Sequence, residues 1–198
     1  MLEEFAPYLK GDLKNNMTNK TFNIVISGTG GQGLITLLQI LTEAALIECY
    51  DVKTSETHGL SQRGGSVETH IRFGEKVFSP LISLGSADLI LGLDIIEGLR
   101  AAAYANSKTI FLMNKKAETV KEIKVLKNPV YLIPASEICQ KELGKEVVSG
   151  IYLLSYAIHK KLIPLKPTSI SKAISKIIPE KYLGLNKKAF ELVLNRQK

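Results

Sequence analysis

The chain has 198 residues, of which 45% are hydrophobic, and a mean hydropathy of +0.08. That is enough apolar material for the core of one α/β domain. No apolar run reaches the roughly 18 unbroken residues of a membrane span, and the N-terminus lacks the basic-then-apolar pattern of a signal peptide. We therefore expect a cytoplasmic protein that does not contact a membrane.

The net charge of +7 is unevenly placed along the chain. Residues 1–100 carry 8 Lys and Arg against 12 Asp and Glu, whereas residues 101–198 carry 18 against 7. A basic half is compatible with an acidic protein partner, a phosphorylated ligand or a solvated lysine-rich surface. Because no aromatic residues alternate with the lysines as base-stacking sites would, nucleic acid is not an expected partner.

The two cysteines, Cys49 and Cys139, lie far apart, and no Cys-x-x-Cys pattern occurs. The chain therefore cannot supply a four-cysteine zinc or iron–sulfur site by itself. The three histidines are too scattered for a local metal motif. We predict no metal site on this chain and two buried free thiols.

The first elements are predicted in the order extension, strand, glycine turn and helix. Residues 1–19 are polar and form an N-terminal extension to a single domain at residues 20–198. The short β-branched run at 22–27 (FNIVIS) is typical of a buried parallel strand, and the apolar run at 34–49 is typical of a helix. Between them lies GTGGQG, at residues 28–33.

A hairpin is predicted next. A second strand at 52–55 leads into a glycine-rich loop, and the alternating segment 67–73 (VETHIRF) predicts a half-exposed strand. Gly74-Glu75 then predicts a turn into a second arm at 76–82, which Pro80 weakens.

The remaining elements alternate and then become helical. Strands are predicted at 88–93, 109–114 and 130–134, and helices at 95–105, 135–143, 147–161, 169–178 and 187–196. This alternation indicates an α/β fold with a Rossmann-like, mostly parallel sheet, an inserted β-hairpin and C-terminal helices packed on one face.

Gly28, Gly30 and Gly33 follow a strand and precede a helix, which is the context of the dinucleotide-binding fingerprint. In that motif the first glycine permits the turn, the second admits a phosphate, and the third allows the helix to pack on the strand. Three interpretations remain open: the turn contacts a phosphate or cofactor, it packs tightly without a ligand, or it forms a subunit interface. The candidate ligand residues are Gly28, Thr29, Gly30, Gly31, Gln32 and Gly33.

Glu56 lies 23 residues beyond Gly33, near the place of a ribose-binding acid. The segment after it, however, cannot be the next helix, because Gly59, Gly64 and Gly65 fall within seven residues. It is a shaped loop, and it distinguishes this chain from an ordinary NAD-binding protein.

The loop displays His58, Ser61, Gln62 and Arg63. His58 is more readily a hydrogen-bonding residue than a general base. A guanidinium at Arg63 can fork onto a carboxylate or phosphate, or it can pair with Glu56 or Glu68. Asp94 follows a strand at the carboxyl edge of the sheet, where the sites of α/β proteins lie. It is either a functional-site residue or, more simply, the N-cap of the next helix.

The order GTGGQG, THGLSQRGGSV and VETHIRFG resembles the small, gamma-type subunits of the 2-oxoacid:ferredoxin oxidoreductases. The likeness is strongest over residues 23–114, and the loop matches the indolepyruvate (arylpyruvate) branch. It implies that Gly28, Gly30, Gly31 and Gly33 form the glycine turn. It also implies that the loop from His58 to Gly65 faces a large subunit and its active site, and it assigns no catalytic residue to this chain.

The resemblance also implies the chemistry. Such enzymes decarboxylate a 2-oxoacid oxidatively, join the acyl group to coenzyme A and pass electrons to ferredoxin. Thiamine diphosphate, Mg²⁺ and [4Fe–4S] clusters are then expected on the large subunit, with none bound by this chain alone. Two alternatives remain: a stand-alone NAD(P)- or nucleotide-binding Rossmann protein, and a purely structural subunit whose glycine turn is filled by protein.

Overall fold

The computed structural model describes residues 21–58, 64–115 and 126–196. The strands are β1 (Phe22–Thr29), β2 (Asp51–His58), β3 (Ser66–Gly74), β4 (Ala87–Gly92), β5 (Ala105–Asn114) and β6 (Val130–Ile133). The helices are α1 (Leu34–Ile47), α2 (Ile95–Arg100), α3 (Ala135–Leu143), α4 (Ser149–His159), α5 (Pro167–Ile177) and α6 (Glu180–Arg196). Short 3₁₀ turns follow α2 and precede α4.

The described strands form one sheet in the order β2-β3-β1-β4-β5-β6. The pairs β1–β4, β4–β5 and β5–β6 are parallel, whereas β3 runs antiparallel to both β1 and β2. The predicted α/β fold with a mostly parallel sheet is therefore confirmed. A hairpin is inserted, but it is formed by β2 and β3 and not by the predicted arms at 67–73 and 76–82. The glycine-rich loop lies in the connection between β2 and β3.

The prediction of a second hairpin arm at 76–82 is wrong. Side chains, rather than a neighbouring strand, bind the backbone of this segment. Asp51 Oδ2 accepts from the Val77 N–H at 2.8 Å, and Arg72 Nη1 donates to the carbonyls of Ser79 and Leu81 at 2.9 and 3.1 Å. β3 itself lies between β1 and β2 and is largely buried, so it is an interior strand and not the half-exposed one that its alternation suggested.

The sheet is covered unequally on its two faces. One face packs against α1, α3, α4, α5 and α6 and carries the larger core, including Ile24, Ile71 and Leu153. The other face packs against α2 and the 75–86 segment around a smaller core that includes Val25, Ile82 and Phe111. The prediction that the closing helices pack on one face is confirmed, and the thinly covered face is left for the polar groups described below.

The two thiols differ. Cys139 is buried, as predicted, but Cys49 is exposed. Cys49 follows the end of α1 with a left-handed φ of 63°, where the chain reverses and its side chain leaves the core.

Among the described residues, none of the helices is long and apolar enough to cross a membrane, and His, Cys, Asp and Glu form no group of three suited to a metal ion.

Candidate functional site

Three segments meet at the carboxyl edge of β1: the glycine turn (residues 28–33), the loop stem (residues 64–66) and the start of α2. The Gly30 N–H donates to the Gly65 carbonyl at 2.9 Å, and Thr29 pairs with Ser66 at the end of the β1–β3 ladder. The Leu93 N–H, just before α2, donates to the Ser27 carbonyl at 2.8 Å. The fold therefore joins two motifs that the sequence shows separately.

Part of the predicted loop lies outside the described residues. This applies to Gly59, Ser61, Gln62 and Arg63, and to the side chain of His58, whose backbone ends β2. Gly64 and Gly65 are described, and they enter β3 beside the glycine turn. The hairpin thus fixes both described ends of the loop at the carboxyl edge of the sheet.

The Gln32 side chain folds back onto its own turn. Its Oε1 accepts from the Thr29 N–H at 2.8 Å, and a Cβ built at Gly28 would lie 2.5 Å from that oxygen. The first glycine is therefore needed for close packing against the chain itself. Gly33 has a φ of 81° with nothing within 4 Å of a built Cβ, so the third glycine is needed for its backbone conformation. These two roles are the reverse of those expected from the fingerprint.

Some backbone N–H groups of the glycine turn already donate hydrogen bonds within the chain. The N–H groups of Thr29 and Gly30 are bonded within the chain. Gly31 and Gly33 are exposed, and they lie at the start of the 14-residue helix α1, whose first turn carries no acidic residue. The outer side of the turn therefore carries the N-terminus of α1, which favours negative charge.

An apolar groove of about 640 Å³ begins beside the turn. Gln32, Gly33 and Thr36 line one side, and residues of the α4–α6 layer line the other. None of the described lining residues is charged. Val147 and Tyr182, on its rim, are 63% and 52% exposed, as is common at a surface that binds another protein.

A buried carboxylate lies opposite the loop stem. Glu97 in α2 is 7% exposed; its Oε2 accepts from the Ser66 hydroxyl at 2.5 Å, and its Oε1 accepts from Arg100 Nη1 at 2.7 Å. The role of this residue is not predicted from the sequence. The spacing Asp94-x-x-Glu97 resembles a capping box, so the pattern alone assigns Glu97 to the helix terminus and not to β3.

A second polar group lies further along the same face of β3. His70, which is 5% exposed, accepts from the Ile82 N–H at Nδ1 (3.2 Å), and its Nε2 lies 3.1 Å from Glu68 Oε1. Because Nδ1 accepts, the proton is on Nε2 and is donated to Glu68. The Tyr104 ring packs edge-on against His70 with centroids 4.8 Å apart.

These contacts alter the acidity of two groups. Burial raises the pKa of Glu68, but the hydrogen bonds from His70 and Tyr104 together outweigh it, and the pKa of Glu68 is lowered from 4.5. Burial and the neighbouring Glu68 raise the pKa of Tyr104 above 10.0. The ionised carboxylate and the neutral phenol are therefore the forms that the fold stabilises.

Acid titration tests this arrangement. Because the folded-state pKa of Glu68 is lowered, its stabilisation is fully present above its unfolded-state pKa near 4.5 and is lost as the pH falls through the lower folded-state value. We expect the free energy of unfolding of the wild type to fall more steeply below pH 4.5 than that of Glu68→Gln. Urea unfolding at several pH values measures both, and parallel curves would contradict the assignment.

Asp94 is the N-cap of α2, as the simpler interpretation held. Its Oδ1 accepts from the N–H groups of Ile96 and Glu97 at 2.9 and 3.4 Å. We expect Asp94→Ala to lower the free energy of unfolding by about 1 kcal/mol and Asp94→Asn to lower it less, since asparagine also caps helices. Denaturant unfolding of both variants checks this, and an equal loss from both would argue against capping as the cause.

Glu56 does not lie beside the glycine turn. It is in the edge strand β2, and β3 lies between β2 and β1. In a dinucleotide fold the ribose acid ends the strand next to the first one. Because β3 is inserted between β1 and β2, Glu56 does not lie where it could bind the ribose of an NAD at the glycine turn.

Comparisons with known proteins agree with this divergence from a dinucleotide fold. Residues 23–195 match the pyruvate ferredoxin/flavodoxin oxidoreductase family. The chain is 32% identical to indolepyruvate oxidoreductase subunit IorB of Archaeoglobus fulgidus, over 88% of this chain and 94% of that protein.

Two solved structures share the fold. The gamma subunit of a keto/oxoacid ferredoxin oxidoreductase from Geobacter sulfurreducens has a TM-score of 0.67 and 22% identity, over 86% of this chain and 94% of that one. A 2-oxoglutarate:ferredoxin oxidoreductase from Magnetococcus marinus has a TM-score of 0.74 and 18% identity, and this chain covers only 30% of it. With the match across most of its length and the 32% identity, the chain belongs to the pyruvate ferredoxin/flavodoxin oxidoreductase family.

Proposed function

We propose that this chain is the small subunit of a cytoplasmic, ferredoxin-dependent 2-oxoacid oxidoreductase of the arylpyruvate (indolepyruvate) type. The chain completes an active site that another polypeptide mainly builds, where a 2-oxoacid is decarboxylated oxidatively to an acyl-coenzyme A. The observation that carries the proposal is the bond from the Gly30 N–H to the Gly65 carbonyl. It joins the glycine turn to the stem of the branch-type loop at the carboxyl edge of the sheet, where α/β proteins place their sites.

The cofactors belong to the partner in this proposal. Thiamine diphosphate, Mg²⁺ and [4Fe–4S] clusters are carried by a large subunit, and coenzyme A is the co-substrate. The coenzyme A and 2-oxoglutarate named for the Magnetococcus marinus structure support the general reaction. The name of the Archaeoglobus fulgidus relative supports indolepyruvate as the substrate class.

This chain contributes the loop and the turn. The loop with His58, Gly59, Ser61, Gln62, Arg63, Gly64 and Gly65 faces the large subunit and its active site. Arg63 supplies a guanidinium for the 2-oxoacid carboxylate or a phosphate of coenzyme A. The turn supports the loop and presents Gly31 and Gly33 at its outer side, while Thr29 and Gly30 are engaged within the chain.

The basic half serves docking. Exposed lysines are spread over α5, α6 and the turns before them, including Lys160, Lys166, Lys172, Lys181, Lys187 and Lys188. Such a surface attracts an acidic partner, and the attraction weakens with salt. Ferredoxin or an acidic face of the large subunit is the partner proposed for it.

The displaced Glu56 and the internally bonded turn argue against a stand-alone NAD(P)-binding protein. A pull-down of the tagged chain from anaerobic extract of its host tests the proposal. The eluate is assayed for viologen reduction that needs both indolepyruvate and coenzyme A, with pyruvate and 2-oxoglutarate compared, and co-eluting chains are identified by mass. A large partner with this activity is expected; a chain that elutes alone and binds NADH would overturn the proposal.

A further inference from the structure

Glu97 is the one buried carboxylate of α2, and its contacts face the site rather than the core. A buried carboxylate destabilises a fold unless its charge is paired and hydrogen-bonded. The partners of Glu97 are Ser66, which is exposed at the loop stem, and Arg100, whose side chain is 66% exposed. Replacing a buried ion pair with apolar residues of similar size is often neutral or stabilising, so stability alone does not explain a carboxylate at this position.

The backbone around Glu97 brings it close to the sheet. A Cβ built at Gly92 would lie 3.1 Å from the Cα of Gly98, and one at Gly98 would lie 2.7 Å from Met113 Sδ. Two glycines therefore allow α2 to lie directly against β4 and β5. Asp94 fixes the first turn of the helix, so the direction of the Glu97 side chain toward β3 is set by the backbone.

The loop stem is held from two sides. The Gly65 carbonyl accepts from the Gly30 N–H on the glycine turn, and the hydroxyl of the next residue, Ser66, donates to Glu97 on α2. Two successive residues thus connect the stem to the two other segments of the site.

We infer that Glu97 is a positioning residue: through Ser66 it holds the loop stem against the glycine turn and so fixes the position of the stem, residues 64–66, on the surface that meets the large subunit. This inference rests on the proposed function, because it assumes that the loop faces a partner. Glu97 touches neither substrate nor cofactor in it. Its effect passes through Ser66 and the Gly30–Gly65 bond.

The test compares Glu97→Ala, Glu97→Gln and Ser66→Ala, with the exposed Glu191→Gln on α6 as a matched control. In the isolated chain, amide hydrogen exchange of Gly30 reports the bond to Gly65. We expect Glu97→Ala and Ser66→Ala to accelerate this exchange about tenfold. Glu97→Gln keeps an oxygen that accepts from Ser66, so it restores slow exchange.

The same variants are then assembled with the large subunit. We expect Glu97→Ala and Ser66→Ala to weaken the affinity for that subunit or to lower kcat by about tenfold, and Glu97→Gln to rescue the loss. A role confined to stability would lower Tm in the isolated chain and leave the affinity and kcat of the intact complex unchanged.

The outcomes separate the two proposals. Unchanged Gly30 exchange in Glu97→Ala, or faster exchange with wild-type affinity and turnover, would overturn the positioning role while the enzyme assignment stands. If the wild-type chain captures no large subunit and supports no 2-oxoacid oxidation, the proposed function fails. The positioning role then fails with it, whatever the exchange rates show.

Discussion

Arg63→Ala is expected to lower kcat/KM of the assembled enzyme for its 2-oxoacid or coenzyme A by about 10- to 100-fold. A hydrogen bond to a charged group contributes about 1.5–3 kcal/mol, which corresponds to this range. Arg63→Lys is expected to recover only part of the loss, because an ammonium cannot form the two parallel bonds of a guanidinium. Steady-state kinetics with each substrate varied in turn identifies which of them the residue contacts.

A control separates the loss of a contact from the loss of positive charge. Lys108 is exposed near the start of β5, at the opposite edge of the sheet from the loop. Lys108→Ala is expected to retain wild-type kinetics and Tm. If Arg63→Ala also retains wild-type kcat/KM for both substrates, the loop does not meet the reacting groups through this residue.

The largest expected loss of stability comes from Gly92→Ala. The new Cβ would lie 3.0 Å from Met113 Cγ, 3.1 Å from the Asp94 carbonyl oxygen and 3.1 Å from the Gly98 Cα. Two of these atoms are backbone and cannot move aside as a side chain can. We expect the free energy of unfolding to fall by about 1–3 kcal/mol, with a decrease in Tm of roughly 2–4 °C per kcal/mol, measured by denaturant and thermal unfolding.

The matched change at Gly184 is expected to have the opposite sign. Gly184 is exposed in α6, with nothing within 4 Å of a built Cβ. Gly184→Ala removes only the flexibility of glycine and is expected to raise the free energy of unfolding by about 0.4–1 kcal/mol. Equal effects at the two positions would show that the close approach of α2 to the sheet is not what Gly92 provides.

The sequence predicts most elements because their signals are local. Periodicity places β1, α1 and α3 within two residues of their observed ends, and the first residue of α2 follows from the capping residue Asp94. The glycine turn and the loop are also visible, since glycines at close spacing exclude a helix. The strand predicted at 52–55 lies within β2, but its pairing with β3 in a hairpin is not predicted from the sequence.

The other features depend on residues that are distant in sequence. The 76–82 segment looks like a strand, but Asp51, His70 and Arg72 bind its backbone from elsewhere. The Ser66–Glu97 pair joins residues 31 positions apart, and the apolar groove is built from α1 and the α4–α6 layer. No local pattern predicts such contacts, because they arise only when the sheet order is fixed.

The reversed strand β3 has a consequence for the order in which the chain folds. β2 has no partner in the described sheet except β3, and β3 alone connects it to β1. β2 can therefore join the sheet only together with β3 or after it. Because β2 and β3 are close in sequence, they can form a β-hairpin within microseconds. This hairpin can then dock onto β1. We therefore expect the β2–β3 hairpin to dock onto β1 as a unit, which would bring Gly65 beside the glycine turn in the same step.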